Sequence, residues 1–322
     1  MQPQSRATFL AGLSPEVRAS IEPALERAPI VYPAPTDHAQ WDRIRTDISQ
    51  RSQVACQQAA ADFPADISKL CFASMPALHI APTDTNDRPP AVFLHGGAYT
   101  TFSADTTLYA TLPLAWRLAR PLIVLDYPLA PEFTFREVVP ATAAAIAAAL
   151  QQYESAPVIG DSAGGGLALA ATLNLLRAGN RLPAALVLLS PWADLGNRGD
   201  TRMTIQGHDP LLDWESHLVA CARAYARGAD TDPDASPVFA EFDEGFPATQ
   251  IFCGTRDILL SDAIRIQQRL RDAGATVDLH LYDGLHHSFP TVTPRSPEAK
   301  HAHLAIRQFL QGHCASTPGG CV

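Results

Sequence analysis

The sequence predicts an α/β fold in which a mostly parallel central sheet is covered by helices on both faces. Two observations support this prediction: short runs rich in apolar residues recur along the chain, and helical segments separate them. Strands that are apolar throughout are buried on both faces, which is typical of parallel sheets in α/β proteins. The runs lie at residues 91–94, 121–127, 157–160, 184–189, 248–253 and 276–282, with a shorter candidate at 78–80.

The helical segments begin and end at residues that commonly bound helices. The helix after the run at 157–160 ends at Gly179, because glycine readily adopts the left-handed conformation that closes a helix. A later helix begins near Ser261 and ends at Gly274, and the last one has Pro297 in its first turn and ends at Gly312. Helices therefore alternate with the strands, as parallel pairing requires.

Three regions lack the pattern of a sheet. Residues 1–70 contain helical segments at about 15–28 and 39–61 and no strand pattern, so we expect a helical arm. Residues 193–236 form an irregular and helical insert within a main domain that spans 71–312. The final residues, 313–322, are rich in Ser, Thr, Pro and Gly and are predicted to be a disordered tail.

Composition excludes several classes of protein. Of 322 residues, 47% are hydrophobic and 18% are charged, so the chain can bury a large core. The net charge of −9 argues against nucleic acid or an anionic membrane surface as the main partner. No apolar run reaches the length of about 18 residues that indicates a membrane-spanning helix.

The ends of the chain and its cysteines bear on location. The first residues lack the apolar segment of a secretory signal. The six cysteines are scattered without a C-x-x-C pair, so we expect reduced thiols in a cytoplasmic protein. A disulfide between Cys314 and Cys321 in the tail region is the alternative that the spacing leaves open.

The stretch at residues 160–164, Gly-Asp-Ser-Ala-Gly, joins a buried strand to a helix. It fits the G-x-S-x-G pattern of a nucleophile elbow, in which a sharp turn lifts a serine hydroxyl above the sheet. The glycines two positions either side of Ser162 allow the backbone to bend that sharply. A glycine-rich turn with a passive serine is the alternative, so partner residues decide between the two interpretations.

A serine hydroxyl needs a base to remove its proton and an acid to orient that base. Asp257 directly follows the run at 248–253, and His286 and His287 directly follow the run at 276–282. Since the carboxyl ends of parallel strands meet at one edge of the sheet, these residues can reach Ser162. Asp262 and Asp283 are rival acids. A zinc site would need a compact ligand set, and the histidines lack one, so we expect no metal.

Acyl transfer also needs donors for the negative charge that develops on the carbonyl oxygen. The segment at 95–98, His-Gly-Gly-Ala, follows a strand and is of the HGGG type. Its glycines can point backbone N–H groups into a cavity, and the N–H of Ala163 is a natural partner. His95 itself is interpreted as a brace for this loop.

Five motifs in this order resemble the hormone-sensitive-lipase-like branch of the α/β-hydrolases, the bacterial family IV esterases. The resemblance spans roughly residues 75–310. One departure is Pro128, where relatives usually have arginine, and it implies a changed contact beneath the HGGA loop. The motifs are His-Gly-Gly-Ala at 95–98, Asp-Tyr-Pro-Leu-Ala-Pro-Glu at 126–132, Gly-Asp-Ser-Ala-Gly-Gly at 160–165, Ser-Pro-Trp at 190–192 and Gly-Thr-Arg-Asp-Ile-Leu-Leu-Ser-Asp at 254–262.

This resemblance implies an α/β-hydrolase fold with a helical cap, built from the 1–70 arm and the 193–236 insert. It implies Ser162 as nucleophile, Asp257 as acid and His287 rather than His286 as base, because the family places Phe two residues after the catalytic histidine. It implies an oxyanion hole formed by Gly96, Gly97 and Ala163. It also implies a reaction that needs no cofactor.

The predicted function is a serine hydrolase that cleaves small or medium-sized carboxylic esters through an acyl-enzyme. A lactonase, an amidase or a deacetylase on the same residues stays open, as does a lipase that acts at an oil interface. A non-catalytic receptor is disfavoured because His287 is present. The partner is a small-molecule ester, and a homodimer is expected by analogy alone. Four aromatic residues have two interpretations: their side chains either contact the substrate or simply pack in the core or cap. These residues are Tyr99, Phe102, Trp192 and Trp214.

Overall fold

The computed structural model describes residues 10, 12–25, 30–83 and 88–314. In this part of the chain, eight strands form one sheet in the order β1-β2-β4-β3-β5-β6-β7-β8. The pairs β1–β2 and β2–β4 are antiparallel, and all other neighbours are parallel. The strands are β1 (Ala65–Phe72), β2 (Met75–Pro82), β3 (Ala91–Leu94), β4 (Leu122–Leu125), β5 (Val158–Asp161), β6 (Leu186–Leu189), β7 (Thr249–Gly254) and β8 (Val277–Tyr282).

Helices cover both faces of the sheet. Because side chains alternate along a strand, Val158 packs into the hydrophobic cluster on one face and Ile159 into the cluster on the other. The predicted α/β fold is therefore confirmed. The helices are α1 (Pro15–Leu25), α2 (His38–Asp62), α3 (Leu108–Leu118), α4 (Phe135–Gln152), α5 (Ala163–Arg177), α6 (Thr201–Thr204), α7 (Val219–Ala226), α8 (Leu260–Asp272), α9 (Phe289–Val292) and α10 (Pro297–His313), with a π-helical turn at Trp214–Leu218.

The two helices of the N-terminal arm pack differently: α1 buries its side chains in one cluster, whereas α2 contributes Trp41 to one cluster and Ala59 to the other. Val17 and Ile21 of α1 lie in the cluster that α3 and α10 share, whereas Trp41 of α2 lies in the cluster of α4 and α5. The expectation that residues 1–70 contain no strand is wrong at its end, because β1 begins at Ala65. The division into arm, main domain and cap insert stays a prediction.

Strand β1 escaped the sequence pattern for a physical reason. It is an edge strand with one neighbour, and Phe72 is its one buried residue. The turn to β2 uses Ala73 and Ser74 at φ values of 47° and 69°, a two-residue hairpin without the usual Asn or Gly. Neither apolar alternation nor turn residues therefore marked it.

At the C-terminus, α10 extends through His313, the first residue of the predicted tail. Residues 315–322, including Cys321, lie outside the described residues. None of the helices in the described part of the chain combines the length and apolarity that crossing a bilayer requires.

Candidate active site

Ser162 lies at the sharp turn between β5 and α5. Its φ of 56° and ψ of −117° are strained for a residue with a side chain, and its N–H donates to Leu189 O at 2.8 Å. The flanking glycines make the turn fit. A Cβ on Gly160 would lie 2.3 Å from Gly164 O, and a Cβ on Gly164 would lie 2.1 Å from Leu94 O. The local backbone therefore requires glycine at both positions.

The structure brings Ser162, His287 and Asp257 together in one chain of hydrogen bonds. His287 Nε2 lies 2.8 Å from Ser162 Oγ, and His287 Nδ1 lies 3.0 and 3.1 Å from the two carboxylate oxygens of Asp257. All three residues are buried, Asp257 completely. The geometry allows a proton to pass from the hydroxyl to the imidazole while the carboxylate holds the ring.

Burial and charge act in opposite directions on this pair. Burial alone would raise the pKa of Asp257, but the positive charge of His287 lowers it below its usual value. Burial alone would lower the pKa of His287, but the Asp257 carboxylate raises it to about 9. The Asp257 carboxylate also accepts from Leu259 N at 2.8 Å. The acid stays ionised, and the imidazole gains basicity.

The rival residues lie elsewhere. His286 turns its Nδ1 to the carbonyl oxygen of His287 at 2.7 Å, and burial lowers the pKa of His286 to about 4. Asp262 forms a buried ion pair with Arg202, and Asp283 is reached by Thr255 Oγ1 at 3.4 Å. Among the described carboxylates that sequence reasoning weighed, Asp257 is the one in contact with His287.

The HGGA loop lies directly beside the serine. A Cβ on Gly96 would lie 2.9 Å from Asp161 Oδ2 and 3.3 Å from the Cβ of Ser162. Gly97 has a φ of 113°, and a Cβ there would lie 2.3 Å from Thr101 O. Within residues 88–314, no hydrogen bond occupies the N–H groups of Gly96, Gly97 or Ala163. Three backbone donors of this loop and of the elbow are thus free to bind an anion.

His95 supports this loop from below. Its ring stacks on Tyr127 with centroids 4.3 Å apart, and the Tyr127 hydroxyl donates to His95 O at 2.7 Å. Burial lowers the pKa of His95 to about 4, so the ring is neutral. These contacts agree with its interpretation as a brace.

A second support comes from α2 of the N-terminal arm. Arg45 donates to Thr100 O at 2.9 Å, to Ala130 O at 2.7 Å and to the two carboxylate oxygens of Glu132 at 2.6 and 3.1 Å. Thr100 N in turn donates to Gly97 O at 3.0 Å. The guanidinium that supports this region thus comes from a helix distant in sequence.

Two of the four predicted substrate contacts lie inside the core. Tyr99 is 1% exposed, stacks on Tyr225 with centroids 3.9 Å apart and lies 3.3 Å through its hydroxyl from Trp192 O. Trp192 is fully buried and donates from its indole nitrogen to Asp194 O at 2.9 Å. Packing accounts for both side chains, and their contact with substrate stays a prediction.

The other two candidates differ in exposure, since Trp214 is buried in the core and Phe102 is not. Phe102 is partly exposed, and its ring lies 2.7 Å from the position of a Cβ on Gly97, so it packs on the HGGA loop. Trp214 lies under the guanidinium of Arg202 at 5.1 Å from its ring centroid. Contacts of Phe102 and Trp214 with a bound ester stay predictions.

Sequence reasoning missed Asp209, which comes from the insert. One of its carboxylate oxygens, one of Asp257 and one nitrogen of His287 all lie within 4.8 Å of one another. Burial, and then the charge of Asp257, raises the pKa of Asp209 to about 7. No motif marks it, because it lies in an irregular segment far from the other residues in sequence.

The same three residues form the one group in the described chain with the spacing of a metal site. His287 Nδ1 and Asp257 are already hydrogen-bonded to each other, so a cation there would replace that bond. The expectation of a metal-free site stays a prediction.

Comparisons with known proteins agree with the fold. A family profile described as the α/β hydrolase fold matches residues 91–291. An esterase from Acinetobacter venetianus is 34% identical over 67% of this chain and 72% of that protein. An acetyl-hydrolase from Streptomyces hygroscopicus is 33% identical over 68% of this chain and 74% of that protein. An esterase structure from the bacterial hormone-sensitive lipase family has a TM-score of 0.82 at 30% identity, over 94% of this chain and 99% of that one.

The chain therefore belongs to the α/β hydrolases. Its solved neighbours include esterases of the hormone-sensitive lipase family, its relatives in sequence are named esterases and acetyl-hydrolases, and the predicted resemblance is confirmed. The protein is an enzyme of the carboxylesterase type.

Proposed function

We propose that this enzyme hydrolyses small or medium-sized carboxylic esters through a covalent acyl-enzyme on Ser162. The observation that carries the proposal is the 2.8 Å contact between Ser162 Oγ and His287 Nε2, with Asp257 on the other side of the ring. A nucleophile, a base and an orienting acid in this arrangement are what acyl transfer by a serine needs.

Acylation begins when Ser162 Oγ attacks the carbonyl carbon of the ester. His287 Nε2 takes the hydroxyl proton, and the carbonyl oxygen becomes an oxyanion. The N–H groups of Gly96, Gly97 and Ala163 receive that charge, which is where fixed donors lower the barrier most. The tetrahedral intermediate then collapses, and the leaving alcohol takes the proton from His287.

Deacylation repeats these steps with water as the nucleophile. His287 removes a proton from water as its oxygen attacks the acyl carbon, and the same backbone donors stabilise the second oxyanion. Collapse breaks the bond to Ser162 Oγ, which recovers its proton from His287. The free acid leaves, and the enzyme returns to its starting state.

Asp257 acts through the imidazole. By accepting from Nδ1–H it leaves the lone pair of Nε2 directed at Ser162, and its charge stabilises the imidazolium that forms in each step. The low pKa of Asp257 keeps this carboxylate ionised throughout.

The class of ester is inferred from the name of a relative. One relative carries the name acetyl-hydrolase, which supports short acyl groups as the first substrates to test. Lactones, amides and acetylated natural products stay as alternatives. A panel of p-nitrophenyl esters of increasing acyl length, a lactone and an anilide separates them, and we expect the highest kcat/KM for a short or medium ester.

We also propose a cytoplasmic location and a small-molecule ester as the one required partner. The five described cysteines are free thiols, as a reducing compartment would leave them. A homodimer stays a proposal by analogy, and its test is the mass in solution.

The direct test of the chemistry is Ser162→Ala with p-nitrophenyl acetate as substrate. We expect kcat to fall by at least about 10⁴, while the circular dichroism spectrum and Tm stay near those of the parent enzyme. The control is Ser68→Ala on the exposed edge strand, which should keep full activity. Turnover by Ser162→Ala at the parent rate would overturn the proposal.

A further inference from the structure

Asp209 is a buried carboxyl group that has no role in the reaction steps described above. It is 7% exposed and lies in the insert, between α6 and the π-helical turn, yet it reaches the loop that carries Asp257. Its Oδ2 lies 3.4 Å from Ile258 N, the residue next to Asp257. A residue of the insert therefore contacts the loop of the proposed catalytic acid.

The other oxygen of Asp209 holds its own segment. Oδ1 accepts from Leu211 N at 2.9 Å and from Leu212 N at 3.2 Å. This is the local turn that aspartate and asparagine both form, since both carry an acceptor oxygen at that position. The local turn thus accounts for the hydrogen bonds of Oδ1, whereas Oδ2 accepts from the loop that carries Asp257.

The charge of Asp209 acts on the proposed base. Together with Asp257 and Asp161 it raises the pKa of His287, against the effect of burial. The negative charge of Asp257 in turn raises the pKa of Asp209, because two carboxylates within 4.8 Å repel each other. The other titratable groups around this pair, from each neighbouring segment, are Asp161 at the elbow, Cys253 at the end of β7, His286 beside His287, and His217 in the π-helical turn.

We propose that Asp209 is a positioning residue that ties the insert to the Asp257 loop and sets the basicity of His287 through its charge. This inference rests on the proposed function, in which His287 is the base. It makes the proton affinity of the active site depend on a carboxyl group that the insert supplies.

The test is Asp209→Asn, which keeps the oxygen that accepts from Leu211 N and removes the charge. The acid limb of kcat/KM against pH reports the base of the free enzyme. We expect its midpoint to move down by about one pH unit, because one negative charge near the imidazole is lost. The plateau should fall by about threefold to tenfold, since a less basic imidazole is a weaker base.

The matched control is Asp243→Asn. Asp243 is exposed and its Oδ1 accepts from Gly245 N at 2.9 Å, so the substitution also removes one charge from a turn residue. It contacts neither Asp209 nor the three proposed catalytic residues, and the midpoint should stay at the parent value. A general effect of net charge would move both profiles equally and would overturn the inference.

A second variant and a second measurement distinguish failure of this inference from failure of the proposed function. Asp209→Ala removes both oxygens, so the same shift in midpoint should come with a lower Tm. The pH dependence of inactivation by diethyl p-nitrophenyl phosphate reports the same base without turnover. An unmoved midpoint in Asp209→Asn, with activity and labelling intact, would overturn the inference and leave the proposed function standing. A parent enzyme that neither turns over esters nor reacts would overturn the proposed function itself.

Discussion

Arg45 offers a test of how the N-terminal arm supports the active site. Its guanidinium joins α2 to the backbone oxygens of Thr100 and Ala130 and to Glu132. Thr100 is hydrogen-bonded to Gly97, so the contact lies one step from the proposed oxyanion donors. The perturbation is Arg45→Met, which keeps most of the apolar stem and removes the donors.

The loss can be estimated bond by bond. Thr100 and Ala130 are fully buried residues, and each lost bond from a charged donor costs about 1 kcal/mol once water partly replaces it. The ion pair with Glu132, whose side chain is 32% exposed, adds about 0.5 kcal/mol after screening. The total of about 2.5 kcal/mol corresponds to a fall in Tm of about 4 °C, because the unfolding entropy of a chain of this size is about 0.7 kcal/mol/K.

Activity should fall as well, and in a specific way. A looser HGGA loop weakens donors that act only in the transition state, so kcat should fall about tenfold while KM stays nearly constant. Differential scanning fluorimetry and p-nitrophenyl ester kinetics measure the two effects. The control is Arg51→Ala on the same helix, whose ion pair with Asp47 is half-exposed and should contribute little. A rise in KM at constant kcat would refute the reasoning.

Three further predictions concern the active site itself. Asp257→Asn should lower kcat by about 10⁴ in ester assays, because the amide no longer holds the imidazole in the required tautomer. Gly97→Ala should lower both Tm and kcat, since its φ of 113° and the 2.3 Å approach of Thr101 O leave no room for a methyl group. The kcat/KM of the parent enzyme should rise with pH as His287 loses its proton, through a pKa above the usual value for histidine because Asp257 favours the charged ring.

Each of these predictions has a contrary outcome. Asp257→Asn at more than a tenth of parental activity would assign the acid to another carboxyl group. Gly97→Ala with unchanged kcat would remove the HGGA loop from the oxyanion hole. Activity that is highest in acid and falls through neutral pH would show that the protonated ring, rather than the free base, is required.

The strands and the elbow were predictable because their physical constraints are local. A strand such as β6 is buried on both faces and must be apolar throughout, and the turn at Ser162 needs glycine at 160 and 164 whatever surrounds it. The order of serine, acid and histidine along the chain then placed three candidates at one edge of the sheet. These parts depend on a few residues close together in sequence.

The missed parts depend on contacts between distant segments. Asp209 belongs to the site only because the insert folds back onto the loop of Asp257, and no spacing rule reports that. Arg45 reaches Thr100, which is hydrogen-bonded to the HGGA loop, from α2, and a lone arginine on a helix is normally a solvated side chain. The burial of Tyr99 likewise follows from its stacking on Tyr225, more than a hundred positions along the chain.

The central claim is that Ser162, His287 and Asp257 form one working unit, and an organophosphate tests it most directly. Diethyl p-nitrophenyl phosphate transfers its phosphoryl group to an activated serine and releases p-nitrophenolate. Peptide mass spectrometry should find one diethylphosphoryl group, on Ser162, and His287→Gln should slow its formation by about 10³ or more. An adduct on any other residue, or labelling of Ser162 at the parent rate in His287→Gln, would contradict the account.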